Sequence, residues 1–129
     1  MAHRLLDKKI KIDVFISSPA KRAKKTASIF AKEYKTDKDE ITFKEELYGA
    51  SPTAFYEVIS KVNDKADSIA IFSHNPGITD FANSLTESRI DNIPTCGIFA
   101  VKLNTKHWRD FEEAKKEFWF VDYPKAGQE

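Results

Sequence analysis

Short apolar runs, each followed by a polar turn and a helical pattern, constrain the fold of this chain more than any other feature. Residues 13–17 read Asp-Val-Phe-Ile-Ser, and residues 68–73 read Ser-Ile-Ala-Ile-Phe-Ser. Both runs are apolar on both faces, which is typical of parallel strands buried between two layers. Their alternation with helical patterns predicts βα units, an α/β fold and a mainly parallel sheet.

The predicted helices are amphipathic, with apolar residues at helical spacing. The first follows residue 18 and carries apolar positions from Ala23 to Tyr34, the second runs from Phe55 to Val62, and the third from Ile78 to Leu85. Ser18-Pro19 and Ser51-Pro52 each place a capping residue before a proline, which predicts a helix start at both points. Residues 2–9 also have a helical pattern, with no capping residue before them.

Three further segments have the pattern of strands. Residues 41–45 predict a second strand, and residues 97–103 and 117–122 predict two more. Residues 104–116 are too few for a full crossover helix, so the last two strands are expected to form an antiparallel pair. The whole chain, residues 1–129, is the length of a single domain with one hydrophobic core.

Composition excludes several classes of function. Lys and Arg number 21 against 20 Asp and Glu, so the chain lacks the basic excess of a nucleic-acid-binding protein. No apolar run approaches the roughly 18 residues of a membrane span, and the charged N-terminal residues lack a signal-peptide core. We therefore expect a cytoplasmic protein with no nucleic-acid or membrane partner. No cluster of Cys, His and Asp indicates a metal site, and we expect no metal and no cofactor.

Two strand ends carry the side chains that point to chemistry. Arg22 follows the first strand, in the first turn of a predicted helix, and His74 follows the strand at residues 68–73. Carboxyl ends of parallel strands and helix N-termini both favour anions, and a guanidinium binds two phosphate oxygens at once. A solvated basic face around Arg22 and a hydrogen-bonded histidine at a buried turn explain the same residues without a ligand. His107 and Trp108 are expected on a solvated loop, and Cys96 as a small buried residue.

These segments resemble the histidine phosphatase superfamily. Residues 18–26, Ser-Pro-Ala-Lys-Arg-Ala-Lys-Lys-Thr, resemble its S-P-x-x-R-A-x-x-T segment, and Ser73-His74-Asn75-Pro76-Gly77 resembles its G-H-N-P-G motif. Ile93-Pro94-Thr95-Cys96-Gly97-Ile98 resembles a segment of the small SixA-like phosphohistidine phosphatases. Three ordered motifs span nearly the whole chain, and the one departure within them is Ser73 in place of glycine.

The resemblance implies a phosphoglycerate-mutase-like, three-layer α/β/α sandwich that needs no metal or cofactor. It implies that Arg22 and His74 are catalytic and contact the transferred phosphoryl group, with Ser18 in the same phosphate-binding turn. Glu45 and Glu46 lie near the position of the acidic proton donor in larger members, which makes Glu46 a candidate acid. SixA-like members often lack a clear donor, because a phosphohistidine is already a good leaving group.

The beginning of the chain departs from the family pattern. The family's R-H-G signature ends its first strand and supplies the histidine that becomes phosphorylated, and no segment here matches it. Met1 to Lys9 resembles the end of the family's first helix instead. We therefore expect that the first strand and the nucleophile are missing. Its place in the sheet is expected between the strands ending at Ser17 and Ser73, leaving a gap, direct contact of the two strands, or pairing with another chain.

The resemblance thus predicts a phosphatase acting on a phosphorylated protein or a small phosphorylated substrate. Phosphohistidine or a small phosphomonoester would be hydrolysed through a covalent phosphohistidine on a residue absent from this chain. The alternative is a non-enzymatic module that binds a phosphorylated ligand. A third interpretation is a fragment created by a misplaced start site, with no function of its own.

Overall fold

A computed structural model of the protein describes residues 2–48, 51–75, 77–85 and 98–122, and of Ala2, His3 and Asp122 the backbone alone. Its helices and strands follow one another as βα units and then a hairpin. They are α1 (Ala2–Asp7), β1 (Val14–Ser17), α2 (Lys21–Glu33), β2 (Thr42–Phe43), α3 (Pro52–Ser60), β3 (Ile69–Phe72), α4 (Gly77–Leu85), β4 (Ile98–Leu103) and β5 (Lys116–Asp122). Three single 3₁₀ turns cover Lys38–Glu40, Glu45–Leu47 and Trp108–Asp110.

The first sheet is parallel, in the order β2-β1-β3. Val14 to Ser17 pair in unbroken register with Ile69 to Phe72, and Ile16 and Ser17 pair with Thr42 and Phe43. This confirms the predicted α/β class and the parallel sheet. β1 is the central strand, and its last three residues are buried.

Helices cover both faces of this sheet, because successive side chains of β1 point in opposite directions. Phe15 packs with α1 and α2, and Ile16 packs with α3 and α4. Phe15 and Ile16 are 2% and 3% exposed, so each face has its own apolar layer. The first layer contains Leu5, Phe15, Ala27, Phe30, Ala31 and Ile41. The second contains Ile16, Leu47, Phe55, Val58, Ile59, Phe81 and Phe111.

The helix starts differ from the predicted ones in one case. α3 begins at Pro52 with Ser51 as its N-cap residue, as predicted, although the Ser51 side chain makes no capping bond. The helix after β1 begins at Lys21 with Ala20 as N-cap, so Ser18-Pro19 is not the cap and first helical residue. The Ser18 hydroxyl instead accepts a bond from the Ala20 N–H at 3.1 Å, within the turn that precedes the helix.

The hairpin β4-β5 forms a second, antiparallel sheet, as predicted. Ala100 pairs with Phe120 and Val101 pairs with Phe118, so Trp119 is the extra residue of a β-bulge. Trp108 ties the connection between the two strands to the residues before β3: its indole N–H donates to the Ala66 carbonyl at 2.8 Å. Since this connection follows β4, the end of β4 lies near the beginning of β3.

The location expected for a missing strand is not open. β1 and β3 pair directly, and Ser18 N–H extends the ladder by donating to the Phe72 carbonyl at 2.8 Å. This is the second of the three expected outcomes, direct contact of the two strands. An opening lies instead on the other edge of β3, where a cavity of about 880 Å³ is lined by residues of β3 and of β4.

Candidate functional site

The turns that follow β1 and β3 lie side by side at one edge of the sheet. The two strands are parallel neighbours, and Ser17 is in register with Phe72. The residues immediately after them, Ser18 and Ser73, therefore begin adjacent turns. The expectation that both strands end at the same edge is confirmed, and α2 and α4 start from these two turns.

The turn after β1 is held rigidly by buried hydrogen bonds. Ser17 and Ser18 are fully buried. The Ser17 hydroxyl donates to the Ser18 carbonyl at 2.8 Å, and the Ser17 carbonyl accepts from Lys44 N–H at 3.0 Å. The Ser18 hydroxyl accepts from Ala20 N–H and so shapes the turn before α2, while its contact with phosphate stays a prediction.

Arg22 is an exposed residue in the first turn of α2. No side chain caps this helix, and no acidic residue lies in its first turn. Lys21, Arg22, Lys24 and Lys25 therefore concentrate positive charge at the positive end of a 13-residue helix. An anion at this end would accept bonds from the first N–H groups and offset the repulsion among the cations.

His74 places its imidazole between the interior and the site edge. Its Nδ1 is buried and has no hydrogen-bond partner among the described residues, and its carbonyl accepts from Ile78 N–H at 3.1 Å in the first turn of α4. A proton on Nδ1 would be a buried donor without an acceptor, so the neutral ring is expected to carry its proton on Nε2. That tautomer would let Nε2 donate to a phosphoryl oxygen.

Tyr48 is a site residue that the sequence patterns did not reveal. Its ring meets the His74 ring edge to face, with centroids 5.5 Å apart, and it is 65% exposed. The Ser73 hydroxyl explains its position, because that group donates to the Leu47 carbonyl at 3.1 Å and ties the Glu45–Leu47 turn to the end of β3. Leu47 is fully buried and packs in the apolar layer of α3 and α4, which fixes the Glu45–Leu47 turn to the core.

The same turn brings Glu46, the candidate acid, to this edge of the sheet. Glu46 is exposed and precedes the buried Leu47 in the 3₁₀ turn. Its part as a proton donor stays a prediction from the sequence. The hydroxyl of Thr79, in the first turn of α4, donates to the side-chain oxygen of Asn75 in the turn before this helix. Pro76 and Gly49 lie outside the described residues, and so do residues 93–97, including Cys96.

His107 is exposed, as expected, whereas Trp108 is not the solvated loop residue that we expected. His107 Nδ1 lies 2.8 Å from Asp64 Oδ2, and Trp108 N–H donates to Asp64 Oδ1 at 2.9 Å. Trp108 also packs against the apolar layer of α3 and α4. The bond from His107, followed by the bond from Trp108 N–H, lowers the pKa of Asp64 below its usual value. This cluster lies before β3, at the opposite end of the strand from His74.

The described part of the chain offers neither a group of metal ligands nor a helix that could span a membrane. Within it, no three His, Cys, Asp or Glu side chains are grouped so as to hold a metal ion. Nor does it contain a helix with the length and apolar character needed to cross a membrane.

Comparison with known proteins identifies one informative likeness. No protein-family model matches the chain, and no curated protein matches it. The fold is similar to a solved structure described as a "Putative Phosphohistidine Phosphatase SixA" from Nakamurella multipartitia, with a TM-score of 0.78. The two chains are 17% identical, and the match covers 95% of this chain and 77% of the other. The likeness shows that this chain has the SixA-like α/β fold.

Proposed function

We propose that this chain is a phosphoryl-binding domain of the SixA-like histidine phosphatase type, formed by residues 1–129 as one unit. The observation that carries the proposal is the adjacency of the turns that bear Arg22 and His74, each at the start of a helix at one sheet edge. The likeness of the fold to that of a putative phosphohistidine phosphatase supports the same proposal. The substrate class is a phosphorylated protein, with phosphohistidine first, or a small phosphomonoester.

Each site residue has a distinct part in binding. Arg22 supplies a permanent charge and a bidentate grip on two phosphoryl oxygens. The uncapped first turn of α2 offers backbone N–H groups to the same anion. His74, with a proton on Nε2, donates to a further oxygen, and the Ser18 turn holds the start of α2 in place. Glu46 is the candidate proton donor to a poorer leaving group, such as an alkoxide.

The described residues supply binding groups and no clear attacking group. Arg22 is always protonated and cannot attack phosphorus. His74 is held against Tyr48 with one ring nitrogen buried, an arrangement suited to donating a bond to the phosphoryl group. We infer that turnover requires a histidine outside this chain, on which the phosphoryl group is transferred and then released to water.

The absence of an attacking group among these side chains also favours a second candidate function. A domain that binds phosphoryl groups without hydrolysing them would need the same arginine, histidine and helix N-terminus. Covalent catalysis and simple binding therefore share the site and differ in whether phosphate is released.

Two measurements on the 129-residue chain test the proposal. Titration with inorganic phosphate or vanadate, followed by NMR, is expected to shift the amide signals of Ser18, Arg22 and His74, with a dissociation constant in about the millimolar range. Arg22→Ala should weaken this binding roughly tenfold or more, since a charge-assisted bond contributes about 1.5–3 kcal/mol. Lys32→Ala, an exposed lysine in the last turn of the same helix, is the matched control and should leave the shifts in place.

The second measurement is release of phosphate from a phosphohistidine peptide. The chain alone is expected to show at most a small residual rate, and a version carrying an in-frame upstream strand that ends in Arg-His is expected to turn over. Rapid turnover by the short chain that disappears in His74→Ala would make His74 the nucleophile. Phosphate shifts centred away from both turns would refute the site itself.

A further inference from the structure

The connection that leads from β2 to Tyr48 crosses the carboxyl ends of β1 and β3, where the proposed phosphoryl site lies. Lys44 N–H donates to the carbonyl of Ser17, the last residue of β1, at 3.0 Å. Further along, the Leu47 carbonyl accepts from the hydroxyl of Ser73, the residue after β3, at 3.1 Å. The connection is therefore fixed to the ends of both strands that carry the site.

Tyr48 projects from this fixed connection as an exposed ring. Its N–H donates to the Glu45 carbonyl at 2.9 Å, and the preceding Leu47 is fully buried, so the backbone that carries the ring is held in place. Tyr48 is nevertheless 65% exposed, more than any other large hydrophobic residue in the described ranges. A single exposed aromatic residue is ordinary on a protein surface, and what distinguishes Tyr48 is the residue that it contacts.

The residue in contact with Tyr48 is His74. The two rings meet edge to face, with centroids 5.5 Å apart and an angle of 67° between their planes, and this contact leaves most of Tyr48 open to solvent. Because Nδ1 of His74 is buried, Nε2 is the ring nitrogen available to a phosphoryl group. A phosphoryl group bonded to Nε2 would therefore lie beside an exposed aromatic ring, which can pack against the group attached to phosphorus.

The acidic residues of the same connection limit the charge of that attached group. Glu45 and Glu46 are both exposed and form the first part of the 3₁₀ turn that ends at Leu47. Their carboxylates favour a neutral or positively charged group over a negatively charged one. A planar ring such as imidazole, which is neutral or cationic near pH 7, satisfies both the aromatic contact and this charge.

We propose that Tyr48 determines the specificity of the phosphoryl site by packing its exposed ring against a planar, uncharged or cationic ring bonded directly to phosphorus. The site then prefers a phosphoryl group on a ring to one on an aliphatic chain. This inference rests on the proposed function, because it needs a phosphoryl group held by Arg22 and His74.

The test compares two probes that differ in the group attached to phosphorus. Phenylphosphonate has a ring bonded directly to phosphorus, and methylphosphonate has a methyl group in its place. In NMR titrations of the 129-residue chain, phenylphosphonate is expected to bind about threefold to tenfold more tightly, the range that an aromatic pair contributes. Nuclear Overhauser contacts between the phenyl protons and the Tyr48 ring are expected in the complex.

Variants of Tyr48 separate contact with the substrate from support of His74. Tyr48→Ala should reduce the ratio of the two affinities to about one and leave methylphosphonate binding nearly unchanged, whereas Tyr48→Phe keeps a ring and should keep the preference. If Tyr48 served only to hold His74, Tyr48→Ala would weaken both probes equally and preserve the ratio, which would overturn the inference.

Phe43→Ala is the matched control. Phe43 is an exposed aromatic residue at the other end of the same connection, 40% exposed, and its ring lies under the Lys24 ammonium instead of beside His74. Its removal should leave the preference for phenylphosphonate in place. Loss of the preference in Phe43→Ala to the same extent as in Tyr48→Ala would overturn the assignment to Tyr48.

The remaining outcomes distinguish this inference from the proposed function. Equal affinity of the parent for both phosphonates, with amide shifts at Arg22 and His74, would overturn the inference and leave the proposed function standing. The absence of shifts at both turns with inorganic phosphate and with either phosphonate would overturn both. A preference for phenylphosphonate without contacts to the Tyr48 ring would place the ring elsewhere and also overturn the inference.

Discussion

Arg22 is a residue whose effect on stability should depend on whether an anion is bound. Its charge lies at the positive end of α2, whose first turn contains no acidic residue. Without phosphate, Arg22→Ala is expected to raise the free energy of unfolding by about 0.3–1 kcal/mol, because it removes an unfavourable charge–dipole interaction. With saturating phosphate the sign should reverse, since the variant loses the stabilisation that ligand binding gives.

Thermal or urea unfolding of the parent and of Arg22→Ala, without and with phosphate, measures both changes in the free energy of unfolding. Lys32→Ala is the matched control, because Lys32 lies in the last turn of the same helix, where a cation is favourable. Its removal should lower stability slightly in both conditions. Identical behaviour of the Arg22 and Lys32 variants would show that Arg22 has no special relation to an anion.

Asp64 makes a second residue-scale prediction, which concerns acid stability. Hydrogen bonds from His107 and Trp108 lower the pKa of Asp64 in the folded chain, relative to an ordinary value of 3.8. A lowered pKa in the folded state contributes stability above the unfolded value, and this contribution is lost as pH falls through the folded pKa. Asp64→Asn should therefore be less stable than the parent at neutral pH, and the difference should shrink below pH 3.8.

Urea unfolding at a series of pH values between about 2 and 7 checks this. Asp67→Asn provides the comparison, since Asp67 is an exposed neighbour in the same connection. A difference between parent and Asp64→Asn that stays constant across this range would contradict the role given to the His107–Trp108 bonds.

At the scale of elements, α3 and α4 are joined mainly by aromatic packing. Phe55 is fully buried and stacks on Phe81, with ring centroids 4.5 Å apart and an angle of 9° between planes. Phe55→Ala should lower the free energy of unfolding by about 3–5 kcal/mol, because the cavity can collapse only in part. Ile29→Ala on the exposed side of α2, where Ile29 is 51% exposed, should change it by about 0.5 kcal/mol or less. Chemical denaturation measures both.

The elements themselves were largely predictable, because their signals are local. The runs at residues 13–17 and 68–73 became β1 and β3 within one residue at each end, and the last two strands formed the expected hairpin. Strand order was not predictable, because it depends on contacts between residues far apart in sequence. The direct pairing of β1 with β3 and the opening beside β4 are results of that kind.

For the candidate site, too, the residues with local signals were predictable and those placed by long-range contacts were not. Arg22 and His74 were identified from the residues that follow buried strands, and the sheet places those strand ends side by side. Tyr48 reaches His74 only through the bond from Ser73 to the Leu47 carbonyl, 26 residues away in sequence. Trp108 was assigned to the surface because one aromatic residue in a polar loop gives no periodic signal. The one hint in the sequence that Trp108 is buried was the spacing of three residues between Trp108 and Phe111, which can place two rings on the same side of a helical turn.

At the scale of the whole molecule, the two sheets predict two levels of local stability. β1 is buried and paired on both sides, whereas the β4-β5 hairpin is paired only within itself in the described part of the structure. Native-state hydrogen exchange in low denaturant should show the amides of β1 opening only with global unfolding. The amides of the hairpin should exchange through a smaller opening of lower free energy.

Trp108→Phe sharpens this prediction. It removes the bond from the indole to the Ala66 carbonyl while keeping an aromatic ring in the apolar layer. The hairpin should then exchange faster, and β1 should change by less than the hairpin does. Equal acceleration of both sheets would mean that they unfold as one cooperative unit.

The central place of β1 also has a consequence for how the protein is made. β1 is synthesised early, but its main partner comes much later: Asp13, just before β1, bonds to Ser68, 55 positions further along the chain. A ribosome adding about 5–20 residues per second needs roughly 3–11 seconds to cover that distance. During this interval Phe15 and Ile16, which end up almost completely buried, have no strand on the β3 side to cover them. The nascent chain therefore has a defined period in which it offers an apolar segment to chaperones, and slowing translation between β1 and β3 should lengthen it.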